Sequence, residues 1–303
     1  METIPVILRQ LFIMAVYCGV GYALHRTRLV STEGCQAFSR LLLYVVLPCV
    51  IVRSFLREAT PAATHALLIS LAASVLLLAL SMLVSRLFLR GRPIDMFSAS
   101  FSNAGFTGIP LITMALGADA VFFVAGFVAL LNILQWTYGQ NLLLGKRTTS
   151  LRAVLLNPLV LALGIGLVLY ALPVSLPSLL TKPIGALADC NSPLAMIILG
   201  FYLAEVPFRD LFLTLGAWKV TLLRLLVIPA LSVLAVAWLP LADAQMKLAL
   251  ILAASAPVGI NVAVYAQLLG KDHPRAVVLI CQSTVLCLVT MPLIAAMAGA
   301  LIR

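Results

Sequence analysis

Two stretches of this 303-residue chain carry side chains able to hold a ligand, and both lie inside apolar runs. The first, SFSNAGFTGIPL at 100–111, contains Asn103, Gly105, Thr107, Gly108 and Pro110. The second, SAPVGINVAVYAQLLG at 255–270, contains Pro257, Gly259 and Asn261. Amides and hydroxyls donate and accept hydrogen bonds without bearing charge. Gly weakens a helix, and Pro removes a backbone donor and clashes one turn back. A helix interrupted at such a point bares N–H groups where its second half begins, here roughly from Leu111 and Val262. That end is the positive pole of the helix and suits an anion. The chemistry offered is reversible binding.

An interruption of this kind cannot face lipid, where each unpaired backbone group costs several kcal/mol. It must be buried in protein or line a wet cavity. One such stretch would pass as a kinked helix packed closely through small residues. The duplication is what points to a site.

The elements that carry these stretches are membrane spans. The chain is 63% hydrophobic and 10% charged, against about 25% charged in soluble domains. Ten apolar segments follow one another: 4–24, 36–56, 64–89, 95–117, 119–144, 154–172, 184–205, 213–239, 243–269 and 274–301. This predicts an all-α polytopic membrane protein of ten transmembrane helices joined by short loops. The first segment carries Glu2 and Arg9 and no small-x-small cleavage site, so it reads as a retained span. Asp95, Asp119 and Asp243 stand where acids suit helix starts.

The net charge of +10 comes from residues scattered among short loops, with no basic stripe that would bind nucleic acid. Thirteen Lys and Arg residues, Arg147 among them, flank the odd-numbered loops. Six, Arg303 among them, flank the even-numbered side. The positive-inside rule therefore puts the odd loops in the cytoplasm and both termini outside. Six cysteines without a CxxC pair and three histidines at segment ends give no zinc pattern, and no cofactor is expected.

The halves resemble each other. Gly19 and Gly21 match Gly164 and Gly166 at an offset of 145, and Pro48 matches Pro193 at the same offset. SNAGFTGIPLITMALG at 102–117 answers SAPVGINVAVYAQLLG at 255–270 at an offset of 153. Five spans per copy is an odd number, so residues 1–145 and 146–303 form two inverted five-helix repeats, with the fourth and ninth spans broken.

NAGFTGIPL at 103–111, NPLVLALGIGL at 157–167, SAPVGINVAVYAQLLG at 255–270 and STVLCLVTMPL at 283–293 make the chain similar to the auxin efflux carrier (PIN-like) family along essentially its whole length. The resemblance implies a scaffold of spans one, two, six and seven, commonly dimeric, and a transport domain of spans three to five and eight to ten. It implies that broken spans four and nine cross, and that Asn103, Gly105, Gly108 and Pro110, with Pro257 and Asn261, map onto the crossover where a substrate carboxylate binds. The family carries organic anions such as auxin or dicarboxylates. About a dozen residues join spans five and six, where plant carriers have a long cytoplasmic loop, so a small permease of a bacterial inner membrane is expected, with the lipid bilayer and a second copy as partners.

No carboxylate stands in the middle of a span, which disfavours a proton relay within the membrane. Glu205 and Arg209, four apart, are expected to pair at the interface. Arg224, inside the eighth span, fits two roles: luring an anion, or satisfying backbone carbonyls. Asn132, Gln135, Gln282, Ser283 and Thr284 likewise fit either helix-to-helix hydrogen bonding or ligand contact. Rival readings are a sodium-coupled symporter of bile-acid type, for which a deep Glu is missing, and a non-transporting receptor or membrane scaffold, which gives no reason for duplicated breaks. An intramembrane enzyme would need a Ser–His, Cys–His, paired-Asp or HExxH arrangement, and none stands at membrane depth.

Overall fold

Proline placement shapes the long helices. Five-residue π-turns at Leu42–Val46, Ala104–Gly108 and Leu223–Val227 each end two residues before a proline, at Pro48, Pro110 and Pro229. Proline offers no N–H to the carbonyl one turn back and pushes that carbonyl away. The wider turn absorbs the misfit: Leu47, Ile109 and Ile228 donate their N–H five residues back, to Leu42, Ala104 and Leu223.

The computed structural model describes residues 3–146, 152, 155–172, 176–239 and 243–301. Its helices are α1 (Thr3–Arg26), α2 (Thr32–Ser54), α3 (Pro61–Leu89), α4 (Pro93–Ser100), α5 (Ala104–Leu116), α6 (Ala118–Leu144), α7 (Pro158–Ala171), α8 (Ser178–Glu205), α9 (Phe208–Leu213), α10 (Leu215–Ala237), α11 (Ala244–Ser255), α12 (Asn261–Leu268) and α13 (His273–Leu301). Among the described residues six helices, α2, α3, α6, α8, α10 and α13, are long and apolar enough to cross a bilayer, and α5, α7 and α11 are shorter apolar helices. The described residues of the ten apolar segments are mainly helical. Most of the loop between the fifth and sixth, with Arg147, lies outside the described residues, as does Arg303.

Side-chain caps fix several starts. Ser31, Thr60, Asn157 and Asp243 accept from Gly34, Ala63, Leu159 and Gln245 N–H groups, and Pro61 and Pro158 occupy first-turn positions where no N–H is needed. Asp243 is thus the cap its position predicts. Asp95 does something further. It is buried and takes two hydrogen bonds from Arg275, at 2.8 and 3.0 Å, tying the start of α4 to the start of α13.

The expected Glu205–Arg209 pair does not form. Pro207 ends α8 and starts a new helix, so the two residues never share a helical face. The ion pairs among the described residues are Arg53–Asp189, Arg92–Asp95 and Arg275–Asp95.

Glycine sets the closest helix contact. α1 runs against the second half of α8, and a Cβ on Gly21 or Gly200 would collide with the carbonyl of Ile197 or Cys18. On α7, Gly166 makes room for the ring of Phe55 from α2.

Candidate functional site

The fourth and ninth segments are each split in two. α4 stops at Ser100 and α5 begins at Ala104, while α11 stops at Ser255 and α12 begins at Asn261. The extended pieces between them pair antiparallel, as a single bridge of Ser102 with Val258. Asn103 N–H donates to Pro257 O at 2.8 Å, and Gly259 N–H to Phe101 O at 3.1 Å. Gly259 leaves room for this pairing: a Cβ would sit tightly, 3.1 Å from Ser102 O and 3.3 Å from Phe101 O, both backbone atoms.

Many of the backbone groups freed by the breaks find a partner, as burial demands. Ser283 Oγ accepts from Val258 N–H at 3.0 Å, and Ser81 donates to Ser100 O at 2.8 Å. Asn103 O takes the N–H groups of Thr107 and Gly108. Gly105 O receives Asn191 Nδ2 from α8 at 3.0 Å. The carbonyls at the C-terminal ends of α4 and α11 go to Arg224, buried on α10. It donates to Ala99 O and Ala256 O at 3.1 Å each, and to Ala254 O. Of its two expected roles, Arg224 fills the carbonyl-satisfying one.

The first break differs from its expectation. It lies at Phe101–Asn103, and helix resumes at Ala104, well before Leu111. Gly105, Gly108 and Pro110 therefore sit inside the resumed helix, where the π-turn accommodates Pro110. The second break falls as expected, with Pro257 and Gly259 extended and Asn261 the first helical residue.

The eight predicted residues gather at one crossing, with divided tasks. Asn103, Pro257 and Gly259 make its backbone bonds. Gly105 packs tightly, since a Cβ there would lie 3.2 Å from the Leu47 side chain, whereas one on Gly108 would meet Ala253 Cα at an ordinary contact distance of 3.5 Å. Asn103 also donates to Thr107 Oγ1 at 3.0 Å. Asn261, Pro110 and Thr107 reach three separate cavities. Asn261 lines one of about 580 Å³ beside Tyr44, Phe106, Trp136, Tyr202 and Tyr265, with Gln36, Arg40 and Gln267 also in its wall. Pro110 lines one of about 300 Å³ with Arg53, Asp189, Asn191 and Ser192. Thr107 lines a third, almost wholly apolar, of about 280 Å³ between α1, α8 and α13.

Sequence reading left Asn132 and Gln135 open, and the structure joins both to the crossing. Asn261 Nδ2 donates to Gln135 Oε1 at 2.7 Å and lies 3.4 Å from Asn132 Oδ1. Asn191 was not foreseen at all. Gln282 instead bonds Thr221 and Leu211 O, away from the breaks. Buried polar atoms that make no hydrogen bond include the Ser100 and Ser102 hydroxyls, Gln135 Nε2, Asn191 Oδ1 and the Ser192 hydroxyl. Each can donate, accept or both, and none carries charge.

Many apolar helices, with two broken segments crossing among buried amides, hydroxyls and one arginine, make up a membrane-embedded protein. The sequence profile of the membrane transport protein family matches residues 6–154 and 147–295. The chain belongs to that family, the auxin-efflux-carrier-like transporters, and is a multi-pass membrane transporter. No individual curated protein matches it.

Proposed function

We propose that the chain is a secondary transporter of small organic anions, mono- or dicarboxylates, working by alternating access around the crossing of α4–α5 with α11–α12. The observation that carries this reading is the crossing itself: Asn261, held by Gln135, stands where α12 begins and lines a cavity of about 580 Å³ with polar and aromatic walls. A helix start and neutral amide donors stabilise a carboxylate without trapping it in a permanent salt bridge. Aromatic walls suit the apolar body of such an anion, and Arg40 in the lining suits its charge.

In this reading the protein is two inverted repeats of five spans, 1–145 and 146–303. Structural likeness at matched positions supports it: Gly19 and Gly164 are both open, Gly21 and Gly166 are both packed, and Gly117 and Gly270 both have positive φ, 92° and 60°. α1, α2, α7 and α8 form the scaffold, which pairs with a second copy, and the remaining helices form the moving domain. With the odd loops cytoplasmic in a bacterial inner membrane and both termini outside, the Asn261 cavity faces inward. The smaller Pro110 cavity is its outward counterpart.

Purified protein in liposomes, offered a panel of radiolabelled carboxylates, tests this. Asn261→Ala is expected to lower flux about a hundredfold, as when a site loses a hydrogen bond it was built around, with the melting midpoint nearly kept. Wild-type flux in that variant refutes the site.

A further inference from the structure

Arg224 is a fully buried cation whose hydrogen-bonding partners are all backbone carbonyls. No carboxylate among the described residues pairs with it. Its three acceptors, Ala99 O, Ala254 O and Ala256 O, come from the C-terminal ends of two different half-helices, α4 and α11. Each helix end carries roughly half a negative charge, so two together offset about one positive charge. Converging carbonyls at the ends of broken helices are also what transporters use to hold a sodium ion, and a hard cation takes just such oxygens.

We infer that the Arg224 guanidinium is a tethered cation, standing where the ends of α4 and α11 would otherwise hold a dissociable sodium ion, and that the carrier therefore runs without sodium. The side chain reaches this point from the π-turn Leu223–Val227 of α10. Because arginine stays charged and cannot leave, the carbonyl side of the crossing is neutralised in every state of the cycle. Only the opposite side, where α5 and α12 begin, exchanges its ligand. The sodium-independence of flux rests on the transport reading above. The occupancy of the carbonyl cluster does not, and it is measured without substrate.

The test compares melting midpoints of detergent-solubilised protein in sodium chloride and in choline chloride at equal ionic strength. The wild type is expected to melt identically in both. Arg224→Ala is expected to melt about 5–10 °C lower in choline, since several buried carbonyls lose their partner. Millimolar guanidinium or sodium, each added alone, should restore at least half of that loss in a saturable way. Arg224→Gln, which keeps a neutral donor, is read in the same buffers and serves if the alanine variant does not fold. A saturable sodium-specific rise of the wild-type midpoint overturns the proposal, as does a variant that melts lower and responds to neither cation. Sodium-dependent flux in the wild type with sodium-independent melting overturns the coupling claim alone.

Discussion

Between α1 and α8 backbone meets backbone; between α2 and α5, at Gly105, the backbone meets a side chain. Gly21 and Gly200 leave no room for one added carbon before a carbonyl is struck. Across the other seam, the nearest atoms to Gly105 are the two terminal methyls of Leu47, which can rotate. Cavities of about 580, 300 and 280 Å³ border α5, which holds Gly105, and the first also borders α12. The two smaller ones reach α1 and α8 as well, but at Gly21 and Gly200 the two backbones touch. Close backbone contact resists sliding, and a side-chain boundary with voids permits it. The proposed scaffold is held by the first seam, and the proposed motion runs along the second.

The largest effect should come from filling the rigid seam. Gly200→Val puts a branched side chain onto the Cys18 carbonyl, where neither backbone can retreat, and is expected to cost about 3 kcal/mol. Thermal melting in detergent reads this directly. A midpoint within a few degrees of wild type would mean that α1 and α8 slide as readily as the rest, and the division into fixed and moving parts would be lost.

Next in size is Gln135→Leu at the crossing. Gln135 Oε1 accepts from Asn261 at 2.7 Å, so leucine frees the Asn261 amide to point elsewhere. Losing one such bond is worth about 1–1.5 kcal/mol, which predicts roughly a tenfold fall in flux. The melting midpoint should stay close to wild type or rise, because Gln135 Nε2 is itself buried without a partner. Undiminished flux would assign Gln135 to packing.

Gly105→Ala probes the mobile seam. One methyl 3.2 Å from Leu47 should cost under about 1 kcal/mol, because the neighbour can yield by a few tenths of an ångström. In a double-mutant cycle with Leu47→Val the two changes should couple by about 0.5 kcal/mol. Strict additivity would show that the seam does not close at this point.

Much of this arrangement was legible in the residues. Paired runs of Gly, Pro and Asn inside apolar stretches marked both breaks, because their duplication is hard to explain by close helix packing alone. The position of the first break was misread, at Pro110 instead of Phe101–Asn103, because a π-turn lets a proline follow closely within a helix and spacing alone does not reveal it. Asn191 escaped notice because a single Asn after a kink looks like any helix start; its bond to Gly105 O spans 86 residues of sequence. Arg224 could be located but not interpreted, since its partners are backbone atoms that carry no residue signature. Glu205 and Arg209 had the spacing of a pair, and Pro207 between them removed the helix that spacing presumes.

The smallest effect is expected in the narrower cavity. Arg53 and Asp189 form an ion pair at 2.6 Å there, with the Asp side chain 73% exposed. The offset of 145 that relates Pro48 to Pro193 carries Arg53 onto Ile198 and Asp189 onto Tyr44, both of which line the wider cavity. The two cavities thus share a backbone plan, and only the narrower holds an ion pair; the wider has Arg40 with no acid in its lining. Solvent screens a pair this open, so Asp189→Asn should cost no more than about 1 kcal/mol, and less as salt rises. Arg53 keeps its bond to Gly185 O at 3.3 Å and stays anchored. If the midpoint falls by far more than that, or the loss persists at high salt, the pair is part of what holds α2 to α8. The asymmetry between the cavities would then be structural and not a matter of what each admits.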